Sequence, residues 1–223
     1  RGLGDVYKRQ ELRTPLAVVR SGLESVEKCS NEEERNHFLH LMSEETVHMK
    51  RLIDDMLLLA NSDADTLTIK PEACQPDLLL LDTYEKFEPL ARKNGLHLIL
   101  TLPEEILPDC FCDIHRTEQI FSIIVDNALC YTPSGGKVTL SCHAENEMLC
   151  FLFKDTGCGI SEEKKSHIFE RFYRADDAHT DREHFGLGLC IAKELTEKQN
   201  GNIQVVDAPI SGSCFMVQLP CAL

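Results

Sequence analysis

Leu12, Leu16, Val19, Leu23 and Val26 recur at steps of 4, 3, 4 and 3, the spacing of a single apolar stripe on a helix that packs into a bundle. A polar break follows at residues 31–34, and the pattern then predicts a second helix over 32–60. Phe38, Met42, Met49, Leu52, Met56 and Leu59 lie on one side of it, with Glu45 interrupting the stripe. Two long helices with one stripe each form a hairpin that stays half exposed. Pairing with a second copy buries the remainder, so the pattern predicts a homodimer with a four-helix bundle.

Residues 61–65 are short, polar and rich in Asp, and read as a linker. Beyond them the period changes. Leu67-Thr68-Ile69 alternates like a strand, residues 77–93 read as a helix stopped by Asn94-Gly95, and 96–102 alternate again. Asp113 is placed to cap a helix reaching about Cys130, the sequence Pro133-Ser134-Gly135-Gly136 is a turn, and 138–143 and 148–154 read as neighbouring strands. Ser161 is expected to cap another helix, residues 187–199 form a further one closed by Asn200-Gly201, and 203–206 and 213–219 are strands around a turn at 209–212. The expected class is α+β, a helical hairpin followed by an α/β sandwich with its sheet on one side and helices on the other. The expected domains are 11–62 and 66–223.

The first ten residues, RGLGDVYKRQ, carry no amphipathic period. Back-translated with ordinary codons they resemble a sequencing adapter read in frame. Residues 1–10 are therefore expected to be non-native, with the natural sequence starting at Glu11.

A length of 223 residues with 43% hydrophobic content suffices for one ordinary domain and a smaller unit. The formal charge of -14 repels nucleic acid and anionic lipid. Eleven cysteines show no Cys-x-x-Cys pair and no Cys/His ligand spacing. Most lie in apolar stretches such as Leu149-Cys150-Phe151, so they read as reduced thiols of a cytoplasmic protein. Uninterrupted apolar runs such as 56–60 and 78–81 fall far below the roughly 18 residues of a membrane span. No direct membrane contact is expected.

Three short patterns carry chemistry. Asn127 sits near the end of the apolar helix, where its amide could satisfy backbone groups or offer its oxygen to Mg2+. Asp155 ends a strand, and Gly157 and Gly159 strip side chains from the next turn. That arrangement fits either an ordinary glycine turn or a carboxylate accepting from the exocyclic amine of adenine, a contact guanine would repel. Gly186-Leu187-Gly188 opens a helix whose free amides suit phosphate oxygens. Between them, aromatic residues at 169–173 precede a polar stretch, 175–183, which reads as a lid or a plain surface loop.

Five motifs in order resemble the cytoplasmic catalytic part of two-component sensor histidine kinases, covering nearly all of 11–219. Glu11-Leu12-Arg13-Thr14-Pro15-Leu16 is similar to the phosphoacceptor box, and Asp126-Asn127-Ala128 with Tyr131-Thr132-Pro133 to the asparagine box. Asp155-Thr156-Gly157-Cys158-Gly159-Ile160 is similar to the first glycine box, Phe169-Glu170-Arg171-Phe172-Tyr173-Arg174 to the phenylalanine box, and Gly186-Leu187-Gly188-Leu189 to the second glycine box. The resemblance implies a Bergerat-type ATP-binding fold shared with gyrase-type ATPases, behind a dimerising hairpin. It implies ATP and Mg2+ as cofactors, with Asn127 on the metal, Asp155 on adenine and Tyr131 near the base. It also implies nucleotide contacts from Gly157, Gly159, Ile160, Phe172, Arg174, Gly186, Leu187, Gly188 and Leu189. Transfer of the γ-phosphoryl to a histidine, then to an aspartate in the receiver domain of a response regulator, is the implied activity. Glu11 would orient the imidazole and Thr14 a dephosphorylating water.

The chain departs from the family at three places. Gln10 occupies the histidine slot, and an amide is neither nucleophile nor phosphoryl carrier, so this chain is not expected to autophosphorylate. Ile123 and Cys130 replace an asparagine and a basic residue common in relatives. His184 replaces the first glycine of the longer second glycine box. The remaining histidines read as structural or solvated. A non-catalytic nucleotide-binding dimerisation module is the alternative reading; a gyrase-, mismatch-repair- or chaperone-type ATPase is disfavoured by the hairpin and by Ile123.

Overall fold

The computed structural model describes residues 2–29, 31–173, 186–206 and 212–222, with side chains from residue 13 onward. Two long helices open the chain, α1 (Gly2–Lys28) and α2 (Glu32–Asp63). Helix α1 begins at Gly2 rather than Glu11, because propagating an existing helix through residues without a proline adds one hydrogen bond per residue fixed. Asn31 caps α2, its side chain accepting from Glu33 N. The helices approach closely at Gly22, where an added Cβ would lie 2.6 Å from Met42 Cγ.

Helix α2 runs to Asp63, through the first three residues of the segment 61–65 expected to be a linker. Tertiary contacts explain the extension. The Ser62 hydroxyl donates to Glu194, and Asp63 receives two hydrogen bonds from the Arg171 guanidinium at 2.8 and 2.6 Å. Asp65, just past the helix, pairs with Lys198. The expected strand at 67–69 is absent; that stretch is irregular, and the Lys70 N–H is taken by Asp113 Oδ2 at 2.9 Å.

The rest is β1 (Glu72–Cys74), α3 (Pro76–Lys93), β2 (His97–Thr101), β3 (Cys110–Cys112), α4 (Ile114–Tyr131), β4 (Lys137–Glu145), β5 (Met148–Asp155), α5 (Glu162–Lys165), α6 (Gly188–Glu197), β6 (Asn202–Val206) and β7 (Cys214–Pro220). Five strands form one sheet in the order β2-β4-β5-β7-β6, with only the β2–β4 pair parallel. Residues alternate between a buried face and a wetter one along β4 and β7. Helices α3, α4 and α6 pack on the buried face. Phe121 of α4 sits at its centre with its ring 4.8 Å from Phe151 and 5.0 Å from Phe153 of β5. The sandwich expected from the sequence is therefore present.

A second, two-stranded sheet pairs β1 with β3, and neither strand was expected. Each is three residues long, too short to show a period. Ser161 takes the N-cap position of α5, but the expected side-chain cap does not form, since its hydroxyl makes no cap hydrogen bond.

Candidate functional site

Helix α4 is fixed at its start by Asp113, which is buried and fully engaged. Oδ1 accepts from Arg116 N, Oδ2 from Lys70 N, and its own N–H donates to Gln199 Oε1 at 2.7 Å. At the other end of the helix, Asn127 is half-buried rather than fully buried. Its Nδ2 donates to Ile123 O at 2.9 Å. A carbonyl only accepts, so this contact orients the amide and leaves the oxygen for another partner.

Asp155 closes β5 with 3% of its surface exposed. Its Oδ1 accepts from Gly157 N at 2.8 Å and from Ser213 N at 3.1 Å. Burial pushes the carboxyl above its usual range, and the backbone hydrogen bonds from Gly157 and Ser213 oppose that shift. The turn after Asp155 needs glycine for steric reasons: a Cβ at 157 would lie 2.3 Å from Tyr131 O. Gly186 has φ +69, and its carbonyl accepts from Phe172 N at 2.9 Å. The turn after β5 thereby lies against the end of α4, and Gly186 lies against Phe172 and Tyr173.

These elements enclose a cavity of about 520 Å3, inside the range of ligand sites. Asn127, Tyr131, Asp155, Gly159, Ile160, Gly186, Leu187, Gly188 and Leu189 all line it. Residues separated widely in sequence thus share one site. The first turn of α6 opens at Gly188 on the same wall, presenting free N–H groups. Gly157 and Phe172 are not lining residues. Gly157 shapes the turn, while Phe172 packs on the core and ties to Gly186. Arg174 and the lid-like stretch 175–183 lie outside the described residues, as do the side chains of Gln10 and Glu11. Thr14 is exposed and borders a separate groove between α1 and α2, with Ala17, Phe38 and Met42.

Several contributors carry no signal in the sequence, Lys164 and Ile168 among them. Ser213 and Phe215 line the cavity, although 213–219 read only as a strand. His48, Arg51 and Asp55 of α2 line it too, so the hairpin supplies part of the wall. His48 is therefore neither simply structural nor simply solvated. No period or spacing announces such residues, because their placement depends on how α2 lies against the sheet domain. Asp55 is raised to about 6, first by burial and then by neighbouring Asp54, with Arg51 opposing.

The expectation that the cysteines form no ligand-like cluster needs correction. All eleven stand outside disulfides, but Cys74, Cys110 and Cys112 come together across the small sheet. Strand pairing places Cys74 beside Cys110, a proximity that sequence spacing does not show.

Residues 112–223 match the family described as histidine kinase-, DNA gyrase B- and HSP90-like ATPase, and residues 9–65 match the His Kinase A (phospho-acceptor) domain. The chain belongs to the sensor histidine kinase family. The sensor protein SrrB of Staphylococcus aureus (strain NCTC 8325 / PS 47) is 32% identical over 215 residues, covering 94% of this chain and 36% of the relative. The chain thus spans little more than a third of the length of that sensor kinase. Among solved structures, Acinetobacter baumannii histidine kinase AdeS superposes with a TM-score of 0.75 at 22% identity, covering 96% of this chain and 98% of that one. Full-length ShkA in complex with AMPPNP gives 0.76 at 27% identity, covering 96% and 44%. The hairpin and sheet domain are therefore the histidine kinase arrangement, and the second unit is an ATP-binding domain. Among the described residues no helix is long and apolar enough to cross a membrane.

Proposed function

We propose that the cavity binds ATP with Mg2+ and that the intact protein passes the γ-phosphoryl to a histidine and then to a response-regulator aspartate. The observation carrying this reading is that Asp155, Asn127 and the two glycine turns border one cavity. Asp155 accepts from the adenine amine, Tyr131 lies beside the base, and the α6 amides from Gly188 onward hold phosphate oxygens. The free oxygen of Asn127 fits a hard cation, and Mg2+ bound there would neutralise charge on the phosphates. Gly159, Ile160, Leu187 and Leu189 supply the walls. Ile123, four residues before Asn127, contributes an apolar surface to the cavity where relatives have an asparagine.

The acceptor slot holds Gln10, so this chain binds nucleotide without labelling itself. Glu11 would orient a histidine at that slot, and Thr14 would position water for dephosphorylating the regulator. The full-length SrrB is named a sensor protein, and a complex of the kinase ThkA with the response regulator TrrA superposes on this chain with a TM-score of 0.78 at 18% identity. Both support a parent sensor with a receiver-domain partner. The exposed stripe of the hairpin supports a homodimer, and the free thiols support a cytoplasmic setting.

Calorimetric titration with Mg-ATP and Mg-GTP tests the pocket. Binding of ATP but not GTP is expected. Asp155→Asn keeps the oxygen that serves Gly157 and Ser213, yet sets an amide donor against the adenine amine, which costs about 1–3 kcal/mol, or roughly 5- to 150-fold in affinity. Gln10→His incubated with γ-labelled ATP is expected to gain acid-labile, alkali-stable phosphate, which Asp155→Asn in the same background lowers. Equal affinity for the two nucleotides, or an unaltered Asp155→Asn, would refute the assignment.

A further inference from the structure

Cys74 on β1 and Cys110 and Cys112 on β3 meet away from the nucleotide cavity. Strand register makes Cys74 the direct partner of Cys110. Cys110 and Cys112 are two residues apart on one strand, so both side chains leave the same face, while the intervening Phe111 is exposed. The three Sγ atoms lie within 4.8 Å of one another, and Cys74 and Cys112 are 3.4 Å apart. Cys110 and Cys112 are buried and Cys74 is half-buried, which leaves one side of the group open to solvent.

We propose that Cys74, Cys110 and Cys112 form a binding site for one thiophilic d10 cation, of which Zn2+ is the representative case. Three sulfurs at about 2.3 Å from a tetrahedral Zn2+ stand roughly 3.8 Å from each other, a spacing inside the separations already present. The donor set is entirely soft, which selects Zn2+ or Cu+ over Mg2+ or Ca2+. A water entering past Cys74 completes the fourth position. On binding, each thiol loses its proton to solvent and forms a sulfur–metal bond, with no change of oxidation state. Asp109 and Asp113 flank the group in sequence, and the chain's net charge of -14 favours a cation.

The surroundings explain what the cation would do. Strand β1 is the first regular element after the hairpin. β3 leads directly into Asp113, the cap of the helix bearing Asn127, and Cys110 also bridges to Cys221 beyond β7. A metal would clamp the entry strand, the base of α4 and the chain's last strand together. A second His/Cys/Glu group among the described residues, His143, Glu145 and Cys150, is a weaker candidate. His143 and Glu145 are exposed, and the Cys150 sulfur already accepts from Gln218.

The test uses the whole chain, reduced and stripped of metal. Titration with Cd2+ is followed by thiolate-to-metal ultraviolet absorption, and Zn2+ affinity is measured against a chromophoric chelator. One cation per chain is expected. Cys74→Ser and Cys112→Ser should each weaken Zn2+ binding by at least about 100-fold, while Cys29→Ser in the hairpin leaves it unchanged. Zn2+ should raise the melting temperature of the wild type and not of the two site variants. X-ray absorption on the Zn2+-loaded wild type needs no variant to fold, and three sulfur neighbours are expected. Fewer than three sulfurs, or a Cys74→Ser/Cys112→Ser chain that keeps the Cd2+ absorption, would overturn the proposal.

Discussion

The hairpin and the sheet domain treat their apolar residues in opposite ways. In the sheet domain Phe121, Phe151 and Phe153 are completely covered, as are Leu140, Leu149 and Ile191, and the core closes within one chain. In the hairpin Leu16 stays 59% exposed and Leu23 54%, with Leu39, Val47, Ile53 and Leu57 also open. Both regions are rich in apolar side chains, so composition does not separate them. What differs is layer number: a sheet covered by three helices buries its inner face, whereas two helices lying side by side have no layer to cover their outer stripes. One region closes its own core, and the other leaves its outer apolar side chains open. The cavity crosses that line, because α2 of the hairpin lends His48, Arg51 and Asp55 to a wall otherwise built by the sheet domain.

The sharpest way to break the contrast is to remove the centre of the finished core. Phe121→Ala opens space against both Phe151 and Phe153, and truncating a buried Phe costs about 3–5 kcal/mol. Urea unfolding should show that loss in the sheet-domain transition. A cost below about 1 kcal/mol would mean the core is not closed around Phe121. The converse experiment acts on the hairpin. Leu16→Ser with Leu23→Ser removes apolar area worth about 1.5–3 kcal/mol for each leucine buried on association. The dimer dissociation constant should rise at least about 100-fold in sedimentation, with ATP affinity unaltered. Unchanged dimerisation would show that the stripe is covered by something other than a second copy.

The sheet domain was largely legible because its signals are local. Alternation in residues 138–143 and 148–154, the Asp113 cap and the Asn94-Gly95 and Asn200-Gly201 stops all appear where the sequence puts them. Asp155 and Asn127 were legible as a pair only through their order along the chain, yet they do border one cavity. The unread parts all depend on contacts between distant segments. The strand expected at 67–69 loses to an irregular path because Asp113 captures Lys70 N, and β1 forms instead, against β3. The linker becomes helix because Glu194 and Arg171, far along the chain, engage Ser62 and Asp63. The same docking places His48, Arg51 and Asp55 along the cavity, where no motif marks them.

Asp55 supplies the finest probe of where the two regions meet. It belongs to the hairpin by sequence and to the cavity by position. Burial first, and Asp54 second, raise its carboxyl from 3.8 to about 6, with Arg51 pulling the other way. A raised folded-state value means that the folded chain holds the proton more tightly than the unfolded chain. The resulting stabilisation is complete below pH 3.8 and is lost as the pH rises through about 6. At pH 7.5 the ionised group is therefore a net cost. The displacement corresponds to about 3 kcal/mol in full, and partial exposure screens it to about 1 kcal/mol. Asp55→Asn should raise the melting temperature by roughly 2–4 °C at pH 7.5, and the gain over wild type should shrink as the pH falls toward 4. A gain independent of pH would assign the effect to packing. No gain at pH 7.5 would mean that Asp55 faces water, and that the hairpin does not wall the cavity at this point.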